Sequence, residues 1–433
     1  MTAIFDSLRA RIAGIRTTAR LGRVAAVGPS TLQVSGLSAV AALGDRVSLG
    51  NCAGEVIALA PDRLTVLPDS PTEGICLGDS VTHFGPAMIA PDARWIGRIL
   101  DPDGRPLDGR PVMSGLLPRA LRAAPPPAAD RRRLGSRLPT GLAVFDTLLP
   151  LVRGQRLGLF AGSGVGKSTL LGSFARHVAA DVVVLALVGE RGRELRAFAE
   201  DVLGADGLAR SVIIAATSDQ SPLIRRRCPL AAMAVAEHFR DQGAQVLFLC
   251  DSITRFAEAH REVAAAGGEP VSLGGWPPSL SHAIMSLAER AGPGVQASGD
   301  ITAIFTVLVA GSNMEEPVAD ILRGVLDGHV VLDRAIAERG RFPAVNLLRS
   351  LSRSLPDCAT ADENALITEA RRLLSAWDKA ELMVQSGLYT VGSDALTDRA
   401  IRLFPDLDAF MAETAPNEFP DHAFRRLGTI LSR

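Results

Sequence analysis

Short β-like runs dominate the first part of the chain, from Gly22 to about Phe84. Each run is rich in aliphatic residues, and Gly, Pro, Asp or Asn separates it from the next. The runs are GRVAAV, TLQVSG, GDRVSL, GEVIALA and RLTVLP. Closely spaced short strands with turn residues between them are typical of β-sandwiches and β-barrels. The pattern therefore predicts a small β-barrel domain over residues 19–88.

Longer helical stretches alternate with apolar runs from about Trp95 onward. The runs that predict buried strands are RLGLFA, DVVVLALVG, VLFLCD and ITAIFTVLVA. Continuous apolar strands between helices indicate a parallel sheet that helices cover on both faces. We therefore predict an α/β domain over residues 89–348.

Helical patterns mark both ends of the chain. At the N-terminus, apolar residues recur at helical spacing between arginines, which predicts an amphipathic helix over residues 1–18. Its apolar residues are Ile4, Phe5, Leu8, Ile12 and Ile15. Docking to a partner and packing on the same chain are equally compatible with this face, since so short a helix is marginal alone. A helical domain is predicted over residues 349–433, where one helical face carries Leu366, Ala370, Leu373 and Trp377.

Composition and charge narrow the class of protein. The chain has 433 residues, of which 47% are hydrophobic, and its formal net charge is -1. Such a chain is globular, and its length suggests about two to four domains. Its charge creates no overall field that would attract nucleic acid or anionic lipid. The basic runs at 131–133 and 225–227 lack interleaved aromatic residues, so we expect them to be solvated rather than to bind nucleic acid.

Cysteine usage and hydropathy indicate a chain of the reducing cytoplasm. The five cysteines are scattered, without the close pairing of zinc or redox sites. The longest apolar stretches, such as residues 182–188 and 301–310, fall short of the ~20 residues that a membrane-spanning helix needs. The N-terminus contains Asp6 and lacks the continuous apolar core of a secretory signal.

A candidate phosphate-binding loop follows the apolar run RLGLF and precedes the segment LLGSFARHV, which has a helical pattern. In this Walker A context, glycines let backbone N–H groups surround a phosphate, and the next helix adds its positive end. Lys167 would reach the β- and γ-phosphates, and Ser168 would offer its hydroxyl to Mg²⁺. Ala161 stands where the first glycine is usual, a mild change at the edge of the loop. The candidate nucleotide-binding residues are Gly162, Ser163, Gly164, Val165, Gly166, Lys167, Ser168 and Thr169.

Two further apolar runs end in acidic residues. VLFLC leads into Asp251, the Walker B arrangement in which a carboxylate helps to hold Mg²⁺. DVVVLALVG leads into Glu190, which would lie beside the nucleotide and polarise the attacking water. Without the Walker A loop, Glu190 would be interpreted as an acid at a helix N-terminus or as a salt-bridge partner of Arg191. The Walker A loop favours the catalytic interpretation.

Seven motifs, in this order, resemble those of the flagellar and type III secretion export ATPases, relatives of the catalytic subunit of rotary ATP synthases. They are FAGSGVGKS, GERGREL, CDSITRFA, GGWPPS, ERAG, DGHVVLDRAIAERGRFPAV and SLSR. The resemblance spans almost the whole chain. It implies a β-barrel, a RecA-like P-loop ATPase domain and a helical domain. It also implies ATP and Mg²⁺ as cofactors, and a homohexamer with nucleotide between adjacent subunits.

The resemblance also implies roles for individual residues. Arg191 and Arg255 would lie near the γ-phosphate, with Glu190 and Lys167 as further catalytic residues. Glu194 would be a second acid near the metal, alongside Ser168 and Asp251. Arg353, in SLSR, matches the arginine finger that reaches the neighbouring subunit's nucleotide and stabilises charge on the phosphoryl group.

Two aromatic residues match the positions that enclose the adenine ring. These are Phe342 and Tyr389, although an ordinary core position is the alternative for each, and for Tyr389 the two are equally balanced. The chain departs from the family in the loop GSNMEEPVAD, where Ser312 and Asn313 replace a common pair of aspartates. Trp276 replaces a more usual tyrosine and keeps the aromatic character.

The resemblance further implies partners and a place in the cell. The partners would be a regulatory stator protein, a central stalk protein, an export gate, and export chaperones or substrates. The chain would be cytoplasmic and peripheral to the inner membrane. The N-terminal helix resembles the stator-binding segment of flagellar export ATPases, which favours a flagellum over an injectisome.

Three alternatives share the ATPase core. The first is a catalytic subunit of a rotary ATP synthase. Ala161, the loop sequence GSGVGKS and a C-terminal domain without an evident acidic stretch disfavour it. The second is a structural ring subunit, disfavoured by Glu190, because non-catalytic ATP synthase subunits carry glutamine there. The third is an RNA helicase of the Rho type, disfavoured by an N-terminal domain poor in aromatic residues.

Overall fold

The computed structural model describes residues 18–272, 274–309, 316–416 and 419–433. Its first six strands form a closed antiparallel barrel with the neighbour order β1-β2-β5-β4-β3-β6. They are β1 (Arg20–Val27), β2 (Leu32–Ser35), β3 (Asp45–Leu49), β4 (Cys52–Leu59), β5 (Arg63–Pro68) and β6 (Ser80–Pro86). Alternate residues such as Val34, Val47 and Leu64 fill the interior, as the pleat of a strand requires. The predicted barrel is confirmed. The predicted helix over residues 1–18 lies, except for its last residue, outside the described part.

In the part of the chain that the structure describes, ten further strands follow the barrel. They are β7 (Met88–Ile89), β8 (Arg98–Leu100), β9 (Arg119–Ala120), β10 (Arg156–Ala161), β11 (Val182–Glu190), β12 (Ser211–Thr217), β13 (Val246–Asp251), β14 (Ile301–Leu308), β15 (Gly328–Leu332) and β16 (Val345–Ser352). Eight of them form one sheet with the order β16-β15-β10-β14-β13-β11-β12-β8, while β7 and β9 pair separately. Only the β15–β16 pair of this sheet is antiparallel. The four predicted buried strands are confirmed as β10, β14, β13 and β11, neighbours at the centre of the sheet.

Helices cover both faces of this sheet. They are α1 (Ala143–Asp146), α2 (Lys167–His177), α3 (Gly192–Ala197), α4 (Gly204–Ala209), α5 (Pro222–Asp241), α6 (Ile253–Ala266), α7 (Ser279–Arg290), α8 (Pro317–Val325) and α9 (Arg334–Glu338), with a π-helix at Phe198–Leu203 and 3₁₀ turns at Ala93–Trp95 and Ala128–Asp130. Along β11, Val183 and Leu185 enter one core and Val184 and Ala186 enter the other. Burial on both faces is the reason for the continuous apolar runs in the sequence.

Among the described residues after the sheet, three helices follow: α10 (Ala361–Gln385), α11 (Ala395–Ala412) and α12 (Pro420–Leu431). Ala370 and Leu373 of α10 are fully buried, and Leu366 and Trp377 pack partly buried against the same core, so the predicted helical face is confirmed. The predicted division of the chain at residue 348 falls inside β16, because the antiparallel edge of the sheet continues to Ser352. Within the described ranges, no helix combines the length and apolarity that a bilayer crossing needs.

Two arginines of α5 connect the barrel to the α/β domain. Arg226 donates to Glu55 of β4 at 2.5 Å, and Arg227 donates to Asp69, directly after β5. Arg226 is 8% exposed and Arg227 is 2% exposed. The expectation that this basic run is solvated is therefore wrong for both residues, because acids more than 150 positions away in the sequence pair with them.

Candidate active site

The phosphate-binding loop connects the centre of the sheet to α2. Ala161 is the last residue of β10, is fully buried, and pairs with both β14 and β15. Gly164 and Gly166 have φ angles of 76° and 83°, a left-handed conformation that strongly favours glycine. Gly166 caps α2, which begins at Lys167. The loop therefore places the positive end of a helix at the carboxyl edge of the sheet, where anions bind.

Some side chains of this loop are buried and others are exposed. Val165 is buried and anchors the loop, whereas Ser163, Ser168 and Thr169 are exposed. The exposed hydroxyl groups at the start of α2 are thus available to a ligand. Gly162 contributes backbone only, and a Cβ there would lie 3.8 Å from the carbonyl oxygen of Val309.

Asp251 contacts both the phosphate loop and strand β14. It ends β13 and is 4% exposed. Its Oδ1 accepts a hydrogen bond from Lys167 Nζ at 2.5 Å and another from Thr306 Oγ1 at 2.7 Å. The predicted Walker A lysine and Walker B acid are therefore brought together. Sequence reasoning missed Thr306, and its one signal is a hydroxyl within a mostly apolar strand run, a feature that Thr302 shares.

Glu190 ends the adjacent strand β11. Gly189, with a φ angle of 69°, is the extra residue of a bulge at which the pairing with β12 shifts by one position. A bulge re-aims the next side chain. Burial and the negative charge of Asp251 raise the pKa of Glu190 to about 7, although Lys167 opposes the shift. A carboxylate with a pKa near neutral pH is suited to accept a proton from water.

Three other predicted residues surround Glu190 in different ways. Glu194 shares a hydrogen bond with it, which further raises the Glu190 pKa. Arg255 packs its side chain along Gly189 and pairs with Glu258 at 2.9 Å. Arg191 is exposed and pairs with Glu194 at 3.5 Å. The contacts of Glu194 among the described residues are with these neighbours, not with Ser168 or Asp251, so its predicted place beside the metal stays a prediction.

The two predicted adenine-binding aromatics lie in different surroundings. The Phe342 ring covers the phosphate loop closely, since a Cβ on Gly166 would lie 3.1 Å from it, yet the side chain is half exposed. Tyr389 follows α10, and its hydroxyl donates to Asp398 at 2.9 Å. Within the described ranges, no ring contact or hydrogen bond joins Tyr389 to Phe342. The structure thus brings Phe342 to the loop, and the role of Tyr389 at the adenine ring stays a prediction.

Arg353 lies apart from the phosphate loop of its own chain. It follows β16, is exposed, and donates to the backbone carbonyl of Arg323 at 3.3 Å. Among the residues described, no hydrogen bond or ion pair links it to Lys167, Glu190 or Asp251. An arginine in this position is available to a second molecule.

The raised pKa of Glu190 predicts a pH-dependent rate. A general base acts in its deprotonated form, so kcat/KM should rise with pH and level off above about 7. Below that pH, each unit should lower kcat/KM by about tenfold. The measurement is ATP hydrolysis from pH 5.5 to 8.5 with Mg²⁺ in excess. Glu194→Gln is the matched variant: it removes a carboxylate that raises the Glu190 pKa, so the midpoint should move to lower pH. A flat profile in both proteins would contradict the assignment.

Comparison with known proteins shows the family of the chain. Residues 141–352 match the family model of the ATP synthase alpha/beta family, nucleotide-binding domain, and residues 359–422 match that of the T3SS EscN ATPase C-terminal domain. The Flagellum-specific ATP synthase of Caulobacter vibrioides is 42% identical, over 98% of this chain and 99% of that protein. The chain belongs to the flagellar and type III secretion ATPase family. It is therefore an ATP-hydrolysing enzyme.

Solved structures of this ATPase family show the same fold. The assembled ATPase EscN from the enteropathogenic E. coli type III secretion system has a TM-score of 0.87 and 34% identity, over 95% of this chain and 100% of that one. EscN in complex with its central stalk EscO has a TM-score of 0.85 at the same identity and coverage. The predicted three-part architecture is thus confirmed. The matches favour an export ATPase over a catalytic subunit of a rotary ATP synthase.

Proposed function

We propose that this ATPase energises protein export through a flagellar type III secretion apparatus and that it works as a homohexameric ring. The observation that carries the proposal is the division of the catalytic set. The phosphate loop, Asp251 and Glu190 meet in one chain, whereas Arg353 is exposed elsewhere on it. A head-to-tail ring would bring Arg353 of one subunit to the nucleotide of the next. The likeness to assembled EscN supports this arrangement.

The residues at the loop fit a Mg²⁺ ion. Mg²⁺ prefers hard oxygen ligands and is typically held by one or two carboxylates together with substrate phosphates. Asp251 supplies the carboxylate and Ser168 supplies an exposed hydroxyl at the start of α2. When bound, the ion would neutralise charge on the phosphates.

Other residues of the chain would bind the phosphates, activate water and stabilise the transferring phosphoryl group. Lys167 binds the β- and γ-phosphates, and the helix start around it adds backbone N–H donors. Deprotonated Glu190 orients water and takes its proton. Arg255, whose charge lies close to Glu190, and Arg191 stabilise the transferring phosphoryl group together with Arg353. Phe342 packs against the adenine ring. Glu194 lies beside Glu190 and raises its pKa.

Partners are proposed from the family. A central stalk protein is supported by the likeness to EscN bound to EscO. A regulatory stator protein, an export gate, and export chaperones or substrates complete the proposed set. In this arrangement the ring is cytoplasmic and peripheral to the inner membrane. The predicted contact residues Ser312 and Asn313 lie outside the described residues.

The proposal is tested by steady-state ATP hydrolysis over a series of protein concentrations, with particle mass followed by light scattering. Glu190→Gln serves as the blank. Specific activity should rise steeply over the same range in which the mass rises from one chain to a ring, because Arg353 completes each site only in the assembly. Full activity of the single chain would contradict the shared site, and ATP binding without hydrolysis by rings would contradict the proposed function.

A further inference from the structure

We infer that Thr306 is a positioning residue for the Asp251 carboxylate, and that it controls how tightly the site holds its divalent cation. The inference rests on the proposed role of Asp251 as the acid at the Mg²⁺ site. Thr306 lies in β14 and is fully buried. Its Oγ1 donates to Asp251 Oδ1 at 2.7 Å.

The strand register explains why these two side chains meet. β13 and β14 are parallel, with Cys250 opposite Phe305, and Asp251 and Thr306 follow one position later. On its other side, Thr306 pairs with Leu159 of β10, the strand that leads into the phosphate loop. Thr306 therefore lies between the strand that carries the acid and the strand that carries the loop. The sheet backbone fixes its position on both sides.

Thr306 and Lys167 donate to the same oxygen, but they are different kinds of donor. Lys167 has a long flexible side chain, and its ammonium group is the proposed phosphate ligand. Thr306 is short and β-branched, so its χ1 rotamer is restricted, and it has no proposed contact with phosphate. When Lys167 turns toward a phosphate, Thr306 continues to hold Asp251 Oδ1. Partners of this kind orient metal-binding side chains and tune the affinity for the metal.

Valine would fill this strand position equally well without burying a hydroxyl. Ile304, two residues earlier on the same face, lies in an apolar core with Leu159 and Leu249. A buried hydroxyl is unfavourable there unless it has a hydrogen-bond partner, and in the described part of the chain that partner is Asp251. A buried hydroxyl at this position therefore indicates that its hydrogen bond to Asp251 has a function.

A matched control lies on the same strand. Thr302 is also buried, at the other end of β14, and its hydroxyl accepts a hydrogen bond from the backbone N–H of Gly154 at 3.0 Å. Thr302→Val and Thr306→Val each remove one buried hydroxyl from one strand and keep the side-chain shape. They differ in whether the lost hydrogen bond reaches Asp251.

The test measures cation binding directly. Mn²⁺ is titrated into protein saturated with ADP, and free Mn²⁺ is followed by electron paramagnetic resonance. Loss of such a partner typically lowers metal affinity by 10–100-fold, so Thr306→Val and Thr306→Ala should each raise the Kd for Mn²⁺ by about tenfold or more. Thr306→Ser should restore it. Thr302→Val should leave it unchanged.

Hydrolysis measured against free Mg²⁺ supplies the second readout, with the thermal unfolding of each variant recorded. Thr306→Val should need about tenfold more Mg²⁺ for half-maximal rate. An unchanged Mn²⁺ Kd in folded Thr306→Ala or Thr306→Val would overturn the inference, as would an equal shift in Thr302→Val. If the wild-type protein binds ADP but neither binds Mn²⁺ nor shows Mg²⁺-dependent hydrolysis, the proposed function fails instead. Because Ala adds no bulk and Ser keeps the donor, the comparison does not depend on the valine variant folding.

Discussion

Glu190→Gln should lower kcat by about 10²–10⁴-fold, the range that general acid–base catalysis typically contributes. Glutamine keeps the shape of the side chain but cannot accept a proton from water. ATP binding should be retained, because Lys167 and the start of α2 hold the phosphates. The measurements are phosphate release at saturating Mg²⁺-ATP and the Kd of a fluorescent ATP analogue.

Glu200→Gln is the matched control for this change. Glu200 is an exposed glutamate nearby in the sequence, paired with Arg196 at 2.9 Å. Because exposed pairs of this kind contribute little, its variant should hydrolyse ATP at the wild-type rate. Near-normal turnover by Glu190→Gln would remove Glu190 from the mechanism. Loss of ATP binding by that variant would make its role structural.

Arg353→Ala should lower kcat by about 10³–10⁵-fold, the range over which arginine fingers act in phosphoryl transfer. The arginine makes no described contact with its own phosphate loop, so ATP binding by the isolated chain should not change. Arg334→Ala is the control, since Arg334 is an exposed arginine paired with Glu338 at the surface. Its rate should match that of the wild-type protein.

Mixing two inactive variants tests whether Arg353 acts across subunits. Arg353→Ala keeps an intact phosphate loop, and Lys167→Ala keeps an intact Arg353. If the chains mix at random in equal amounts, about one quarter of the head-to-tail interfaces combine both intact halves. Hydrolysis should therefore reappear in the mixture and be absent from either variant alone. No recovery in rings shown to contain both chains would contradict a shared site.

The parts of the site predicted from the sequence depend on local order along the chain. The phosphate loop follows from glycine spacing between a strand and a helix, and Asp251 and Glu190 follow from acids at the ends of apolar strands. Each signal lies within about ten residues, and the carboxyl ends of parallel strands converge at one edge. The barrel and the central strands were likewise predicted from local periodicity.

The parts that sequence reasoning missed depend on contacts between distant segments. Arg226 and Arg227 belong to a charged run, which is usually solvated, but Glu55 and Asp69 of the barrel domain pair with them. Thr306 is ordinary in a β-strand, since threonine favours strands, and only the register of β14 against β13 places its hydroxyl on Asp251. A local pattern contains none of this information.

The order of strands at one edge of the sheet gives the proposed ring a direction. β10 leads into the subunit's own phosphate loop, and β16 ends beside Arg353, with β15 alone between them. One edge of the sheet therefore connects the proposed ATP site of a subunit to the arginine that it would offer to its neighbour. In a head-to-tail ring, each subunit would therefore offer Arg353 to the neighbour on the same side. Such a ring would have the same polarity at every interface.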